Sequence, residues 1–326
     1  MSKLLTVNNL SVSFVMERDE LQAVRNVSFS INKKETVAVV GESGAGKSQV
    51  FHALLGLQSK NARLQGSAKF LGMELINQPD KELNKVRGTD ISIIFQDPMT
   101  ALNPYLKIGK QLTEVLQIHR EYSYGEAKKQ AITALTEVKI PHAEKRFDQY
   151  PHELSGGMRQ RVIIAMSLLG NPKLIIADEP TTALDVTVQT DIISLLRSVH
   201  EKHQTSLVLI THDIPLVAGL CDRIIIMYAG RIVESATLLE IHQQAKHPYT
   251  RALLEATPSA PSKTAQAQQT KLTTIPGQPP HIEDHIKGCA FAPRCYLADD
   301  QCRKETPEMI EVSITQSVAC FHRGKS

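Results

Sequence analysis

Gly41-Glu42-Ser43-Gly44-Ala45-Gly46-Lys47-Ser48 lies between an apolar run, Thr36-Val37-Ala38-Val39-Val40, and a helix-like stretch, Gln49-Val50-Phe51-His52-Ala53-Leu54-Leu55. A buried strand, a glycine-rich turn, Lys-Ser and a helix make up the context in which G-x-x-x-x-G-K-[ST] cradles phosphate. Successive backbone N–H groups and the positive end of the helix converge there on one concavity. Lys47 would reach the outer phosphates, and the Ser48 hydroxyl would hold Mg²⁺. Gly41, Ser43, Gly44, Gly46 and Gln49 complete the expected cradle. A chance glycine turn before a helix is the bland alternative, and the correct flanking pattern argues against it. The stretch predicts an α/β chain that binds a nucleoside triphosphate.

Bulk properties narrow the function. The 326 residues suffice for one large α/β domain plus an appendage, and 42% apolar residues can fill a core. A formal charge of +3, with no basic block and no Trp, argues against a nucleic-acid partner. No apolar run approaches a bilayer span, and the first residues lack a secretory h-region, so a cytoplasmic chain is expected, reaching a membrane through protein partners. Five cysteines without a signal peptide do not read as disulfides. Cys221 sits in an apolar stretch and reads as a small core residue. Cys289, Cys295, Cys302 and Cys320 cluster near the C-terminus and need a separate account.

Alternation between Leu4 and about Ser30 predicts antiparallel strands ahead of the loop. Ile91-Ser92-Ile93-Ile94-Phe95 reads as a strand, and a helical pattern follows from about Asp97. Ser123-Tyr124-Gly125-Glu126 is a capping-box candidate for a helix to about Val138. Ser155 should cap a helix running to Gly170. Leu174–Asp178, Ser206–Thr211, Arg223–Met227 and Gly230–Glu234 read as strands, with a helix from about Thr187 to His203. Residues 257–271 turn to Pro, Ser, Ala, Gln and Thr and read as a linker. The piece at 272–326 is too small for a large core of its own, so it should pack on a neighbour or carry a metal staple.

The strand Leu174–Asp178 ends in Asp178-Glu179, followed by Pro180-Thr181-Thr182-Ala183-Leu184-Asp185 and preceded by Leu154-Ser155-Gly156-Gly157-Met158-Arg159-Gln160. An acidic pair at a buried strand end can complete a Mg²⁺ shell and orient an attacking water. In this order the set closely resembles the ABC-transporter ATPase family, over most of the chain from Leu5 to about Glu240. Leu154–Gln160 is similar to the signature, Phe95-Gln96-Asp97-Pro98 to the Q-loop, Ala183-Leu184-Asp185 to the D-loop, and Thr211-His212-Asp213 to the switch histidine. The resemblance implies a P-loop fold with a RecA-like core, an antiparallel β subdomain and a helical subdomain at about 97–165, within a domain spanning 1–256. It implies a head-to-tail dimer in which Ser155, Gly156, Gly157 and Gln160 face the nucleotide held by the partner. Glu179 would be the general base, and Lys47 would hold the outer phosphates. His212 would contact the γ-phosphate, and Gln96 would sense Mg²⁺ and water beside Ser48 and Asp178. Phe14 would stack on adenine, with one more core-facing aromatic as its bland alternative. Asp185 would act through the dimer interface.

The region after the cassette resembles ATPase subunits of dipeptide and oligopeptide importers. Lys246-His247-Pro248-Tyr249-Thr250-Arg251-Ala252-Leu253-Leu254, Ile275-Pro276-Gly277-Gln278-Pro279-Pro280 and Gly288-Cys289-Ala290-Phe291-Ala292-Pro293-Arg294-Cys295 carry that likeness. Lys34 stands where the family usually has Gly, which predicts a different turn, and Tyr296 replaces a common Pro. The spacing of the four cysteines alone leaves zinc and iron–sulfur both open; the resemblance implies a [4Fe–4S] cluster that holds the lobe together. The resemblance implies an ATP- and Mg²⁺-dependent subunit at the cytoplasmic face of the membrane. Its partners would be a second homologous ATPase, two membrane-spanning permeases and, through them, an extracytoplasmic binding protein. The alternatives are a soluble ABC ATPase acting on nucleic acid or the ribosome, an importer of another cargo such as nickel, and a metal-sensing regulator.

Overall fold

The computed structural model describes residues 2–17, 19–182, 184–256, 274–284 and 286–323, the side chains of Pro98 and Met99 excepted. The expected linker at 257–271 and Ala183 lie outside the described residues. The chain begins with strands β1 (Lys3–Val15), β2 (Glu20–Asn32) and β3 (Thr36–Val40), then helix α1 (Lys47–Leu54), β4 (Ala62–Phe70), β5 (Met73–Glu74), α2 (Asp80–Leu83) and β6 (Ile91–Ile94). A helical stretch follows: α3 (Pro98–Ala101), α4 (Ile108–Arg120), α5 (Tyr124–Glu137), α6 (Ala143–Phe147) and α7 (Gly156–Leu168). Next come β7 (Leu174–Asp178), α8 (Val186–His203), β8 (Ser206–Thr211), α9 (Ile214–Val217), β9 (Arg223–Tyr228), β10 (Arg231–Thr237), α10 (Leu238–Gln244) and α11 (Pro248–Glu255). The C-terminal extension adds α12 (Asp300–Lys304), β11 (Ile310–Glu311) and β12 (Ser317–Val318).

Strands β2-β1-β4-β5 form an antiparallel sheet, and a second sheet runs β11-β12-β10-β9-β3-β8-β7-β6. Strands β6, β7, β8, β3 and β9 are mutually parallel. Every residue of β3, β7 and β8 is buried, which explains their unbroken apolar runs. The period of two then divides these strands between two cores. Ala38, Val40, Ile175, Ala177, Leu207 and Leu209 pack with the helical side. Val37, Val39, Leu174, Ile176, Val208 and Ile210 pack with α1 and the antiparallel sheet. One sheet thus separates two hydrophobic layers and is packed on both faces.

Helix ends follow the local signals. Ser123 and Glu126 form the reciprocal capping box of α5, and Ser155 caps α7. The turn at Lys34 corrects the expectation of a different geometry: Lys34 adopts φ 61°, the left-handed turn that glycine favours. The Lys34 N–H donates to Ser206 Oγ at 2.8 Å, tying the turn to β8. The extension is not a detached lobe. Its strand β12 pairs antiparallel with β10, Glu234 opposite Val318, and continues the main sheet.

Candidate functional site

The chain leaves β3 for the distant β6, returns through β7 and β8 to one side of β3, then crosses it to β9. Such a reversal opens a crevice at the carboxyl ends of the strands. The loop at 41–46 leaves β3 there, Gln96 lies just beyond β6, Glu179 follows β7, and His212 follows β8. Four sequence-distant motifs therefore meet for a topological reason.

The loop depends on its glycines. Gly44 and Gly46 have φ 80° and 87°, and a Cβ on Gly46 would stand 2.4 Å from Ala23 O. Gly46 caps α1 without any side-chain hydrogen bond, so the first helical N–H groups face the loop's concavity. Ser43 and Gly44 are exposed. Lys47 is buried, and its Nζ donates to Gly41 O at 2.8 Å and Glu42 O at 3.1 Å. Burial pushes the Lys47 ammonium below the ordinary lysine range, against the opposing pull of Glu179, Asp178 and Glu42. Gln49 keeps its side-chain oxygen buried without a hydrogen bond among the described residues.

Glu179 is the hub. Its Oε2 accepts from Gln96 Nε2 and from Thr182 Oγ1, each at 3.0 Å. Its Oε1 lies 3.6 Å from His212 Nδ1 and 3.8 Å from Lys47 Nζ. The backbone of Glu179 sits at φ 44°, a left-handed conformation that costs a non-glycine residue about 1–2 kcal/mol. The strain is held by the Glu179 N–H, which donates to Ile210 O at 2.9 Å. Asp178 accepts from Ser48 Oγ at 2.8 Å and lies 3.7 Å from His52 Nε2. Burial raises the Asp178 carboxyl above its usual value and holds the His52 imidazole below its own. Sequence reading singled out neither His52 nor Thr182. His52 could have been found from its i+4 spacing to Ser48, which puts both on the face of α1 that meets Asp178.

The signature residues lie elsewhere. Ser155 Oγ accepts from Met158 N at 3.4 Å, and Gly156 and Gly157 form the first turn of α7. They pack beside Leu184 and Val188, and among the described residues no hydrogen bond joins them to the phosphate loop. Gln160 corrects the expectation for it: the side chain is 1% exposed and turned into the chain's own interior, where it cannot meet a partner's nucleotide. Asp185 caps α8, its Oδ1 accepting from Val188 N at 3.0 Å. Phe14 is half-buried against the second core, at the end of β1.

Residues 24–182 match the ABC transporter family, and residues 233–302 match the C-terminal region of oligopeptide/dipeptide transporters. The oligopeptide transport ATP-binding protein OppD of Haemophilus influenzae is 50% identical over 93% of this chain and 92% of its own. The OppD of Salmonella typhimurium is 49% identical over 98% and 93%. This chain belongs to the ATP-binding proteins of the oligopeptide/dipeptide transporter family. The family's dipeptide transport ATP-binding protein DppD from Lactococcus lactis is 44% identical over 96% of this chain and 89% of its own. Among solved structures, the dimeric post-hydrolysis state of the cassette MJ0796, bound to ADP and Pi, superposes with a TM-score of 0.64. It is 29% identical and covers 72% of this chain and 98% of its own. The α/β architecture is thus that of an ABC ATPase with a small cysteine-bearing extension. No described helix is long and apolar enough to cross a membrane.

Cys289, Cys295, Cys302 and Cys320 line one small cavity, with His247, Phe291 and His322. Burial raises all four thiols, Cys289 to about 11. A second donor set overlaps the first: the ligand atoms of Asp299, Cys302 and His322 lie within 4.8 Å of one another. Cys221 is apart from both, buried, with its thiol pushed up to about 12.

Proposed function

We propose that this chain is the ATP-hydrolysing subunit of a peptide importer, working beneath two membrane-spanning permeases at the cytoplasmic face of the membrane. The observation that carries this reading is the convergence of Lys47, Gln96, Thr182 and His212 on Glu179, beside a phosphate-binding loop, in a chain of this family. A second homologous ATPase would supply the facing signature helix, since Ser155–Gly157 stand apart from this chain's own loop. The dimeric ADP-bound relative supports that arrangement. An extracytoplasmic binding protein would choose the cargo.

In this reading the loop N–H groups and Lys47 bind the β- and γ-phosphates of ATP. Ser48 Oγ and Asp178 Oδ1 are 2.8 Å apart. Adjacent ligands of an octahedral ion with ~2.0–2.1 Å bonds are about 2.9 Å apart, so the pair fits Mg²⁺, which would neutralise developing phosphate charge. Glu179 takes a proton from the attacking water as it adds to the γ-phosphorus, the bond to the β–γ bridging oxygen breaks, and ADP and inorganic phosphate leave. Gln96 orients that water, and His212 steadies Glu179 and the γ-phosphate. Phe14 stacks on adenine. Residues 1–256 act as the nucleotide-binding domain, 257–271 as a linker and 272–326 as the extension.

For the cysteine cavity we propose a [4Fe–4S] cluster, held by Cys289, Cys295, Cys302 and Cys320, that staples the extension. Four soft donors around one cavity support it. The Asp299–Cys302–His322 set favours zinc as the second reading, because mixed N/S/O sets suit that ion. The test of the main proposal is gentle solubilisation of host membranes and identification of what co-purifies with the tagged chain. Two polytopic permeases and a second ATPase are expected; recovery without permeases would overturn the transport reading.

A further inference from the structure

Glu42, the second residue of the phosphate-binding loop, is gripped by the far end of the chain. Its carboxylate accepts a two-pronged contact from Arg294, Nη1 to Oε2 at 2.7 Å and Nη2 to Oε1 at 3.1 Å. Its N–H donates to Tyr249 OH at 2.9 Å. Arg294 is fixed in turn. Its Nε donates to Pro276 O at 2.9 Å, its Nη1 to Tyr228 OH at 3.2 Å and its Nη2 to Ile275 O at 3.4 Å. The rings beneath it are packed together, Tyr228 4.6 Å from Tyr249 and 5.3 Å from Phe291 between centroids.

A forked guanidinium–carboxylate contact tolerates little displacement, and with the Arg294 side chain buried and every one of its N–H groups engaged the pair is suited to fixing register. The register fixed here is that of the catalytic loop. Lys47 Nζ hangs from the carbonyls of Gly41 and Glu42, which flank the Cα of Glu42, the residue that Tyr249 and Arg294 hold by its N–H and its carboxylate. The extension already joins the body through β12, so it does not need a contact on this loop to stay attached.

We propose that Arg294, acting through Glu42, is a positioning residue for nucleotide binding, so that the C-terminal extension sets the affinity of the phosphate-binding loop. The inference rests on the ATP-binding reading above. Loss of the fork frees the 41–42 peptide, and with it the rest position of Lys47. Coupling is reciprocal, so bound ATP must also tighten the extension.

The test is titration of the full-length chain with a fluorescent ATP analogue and Mg²⁺, alongside hydrogen exchange. Arg294→Met and Glu42→Gln should each weaken binding about tenfold, a modest share of what misplacement near a reacting group can cost. Arg294→Lys, which keeps the charge and loses the fork, should fall between them and wild type. The double variant should be no weaker than the worse single, because both act through one contact. ATP should slow amide exchange over 289–295 in wild type and not in Arg294→Met. Lys304→Ala, on the same extension and exposed, should bind as wild type. Wild-type affinity in Arg294→Met, or losses that multiply in the double variant, would overturn the proposal. If Arg294→Met fails to fold, Arg294→Lys decides: affinity equal to wild type refutes the positioning role. A wild-type chain that binds no ATP refutes the underlying reading instead.

Discussion

Replacing Glu179 with glutamine changes one oxygen to an amide and removes one charge, which makes it a sharp probe of the site. The amide oxygen can still accept from Gln96 and Thr182, as Oε2 does at 3.0 Å to each. The other arm would face Lys47 Nζ and His212 Nδ1, now 3.8 and 3.6 Å from Oε1, with no charge to offer. At an effective dielectric of about 20, two unit charges 3.8 Å apart attract by about 4 kcal/mol before desolvation is counted. ATP repays that lost attraction, because its phosphates bring negative charge to Lys47 and no longer meet a neighbouring carboxylate. Affinity for ATP should therefore hold or rise. Turnover should fall, since a positioned base contributes roughly 10²- to 10⁴-fold, or about 3–5 kcal/mol of barrier. The assay is steady-state phosphate release in the assembled transporter, with nucleotide binding measured on the same sample. Turnover within about threefold of wild type, with ATP binding intact, would refute the role given to Glu179.

Three further outcomes follow from the geometry. Gly41→Ala would place a Cβ 2.2 Å from Met227 O, a backbone atom of a central strand; it should destabilise the chain by about 1–3 kcal/mol, seen in urea denaturation, and an unchanged midpoint would count against the packing described. Burial raises the Glu74 carboxyl, but the Ser67 hydroxyl and the N–H groups of Ala68, Ile76 and Leu75 outweigh it and hold the group below its usual value. Its stabilising share is therefore present above the unfolded glutamate pKa, about 4.3, and lost as pH falls through the lower folded value. Glu74→Gln should be less stable than wild type at neutral pH and converge with it in acid; a gap that persists in acid would contradict this. Anaerobically purified protein should carry about four irons and labile sulfide per chain, lost in Cys302→Ser, whereas stoichiometric zinc without iron would favour the Asp299–Cys302–His322 reading.

The parts of this molecule that were legible in the sequence are those whose signals are local. The 36–55 stretch names itself because β3 is buried on both faces and the glycines must sit before a helix. Caps at Ser123 and Ser155 are written within three residues. The ends of β6, β7 and β8 were locatable, and family order supplied their meeting. What stayed hidden depends on contacts across the chain. Strand β12 is two residues long and shows no alternation, so nothing marks its place beside β10. Arg294 and Glu42 are 252 residues apart. Gln160 illustrates the opposite error: a polar residue in a functional string reads as a ligand, yet its helix position turns it inward.

The geometry also bears on which form of the nucleotide the proposed site would take. Four of the side chains assigned to ATP or its metal, Lys47, Ser48, Asp178 and Gln96, already have partners within the chain. Lys47 rests on two carbonyls and faces Glu179. Ser48 donates to Asp178, and Gln96 donates to Glu179. Binding is then an exchange rather than a simple gain, and each displaced contact subtracts from the affinity that phosphate contacts supply. The exchange favours a ligand that satisfies all the released groups together. A metal-free triphosphate would engage Lys47 and leave Asp178, its carboxyl raised by burial, beside added negative charge. A metal-loaded nucleotide offers a cation where Ser48 and Asp178 meet and an anion where Lys47 waits. The proposed site would therefore favour the metal-loaded nucleotide, which replaces the contacts that Lys47, Ser48 and Asp178 give up.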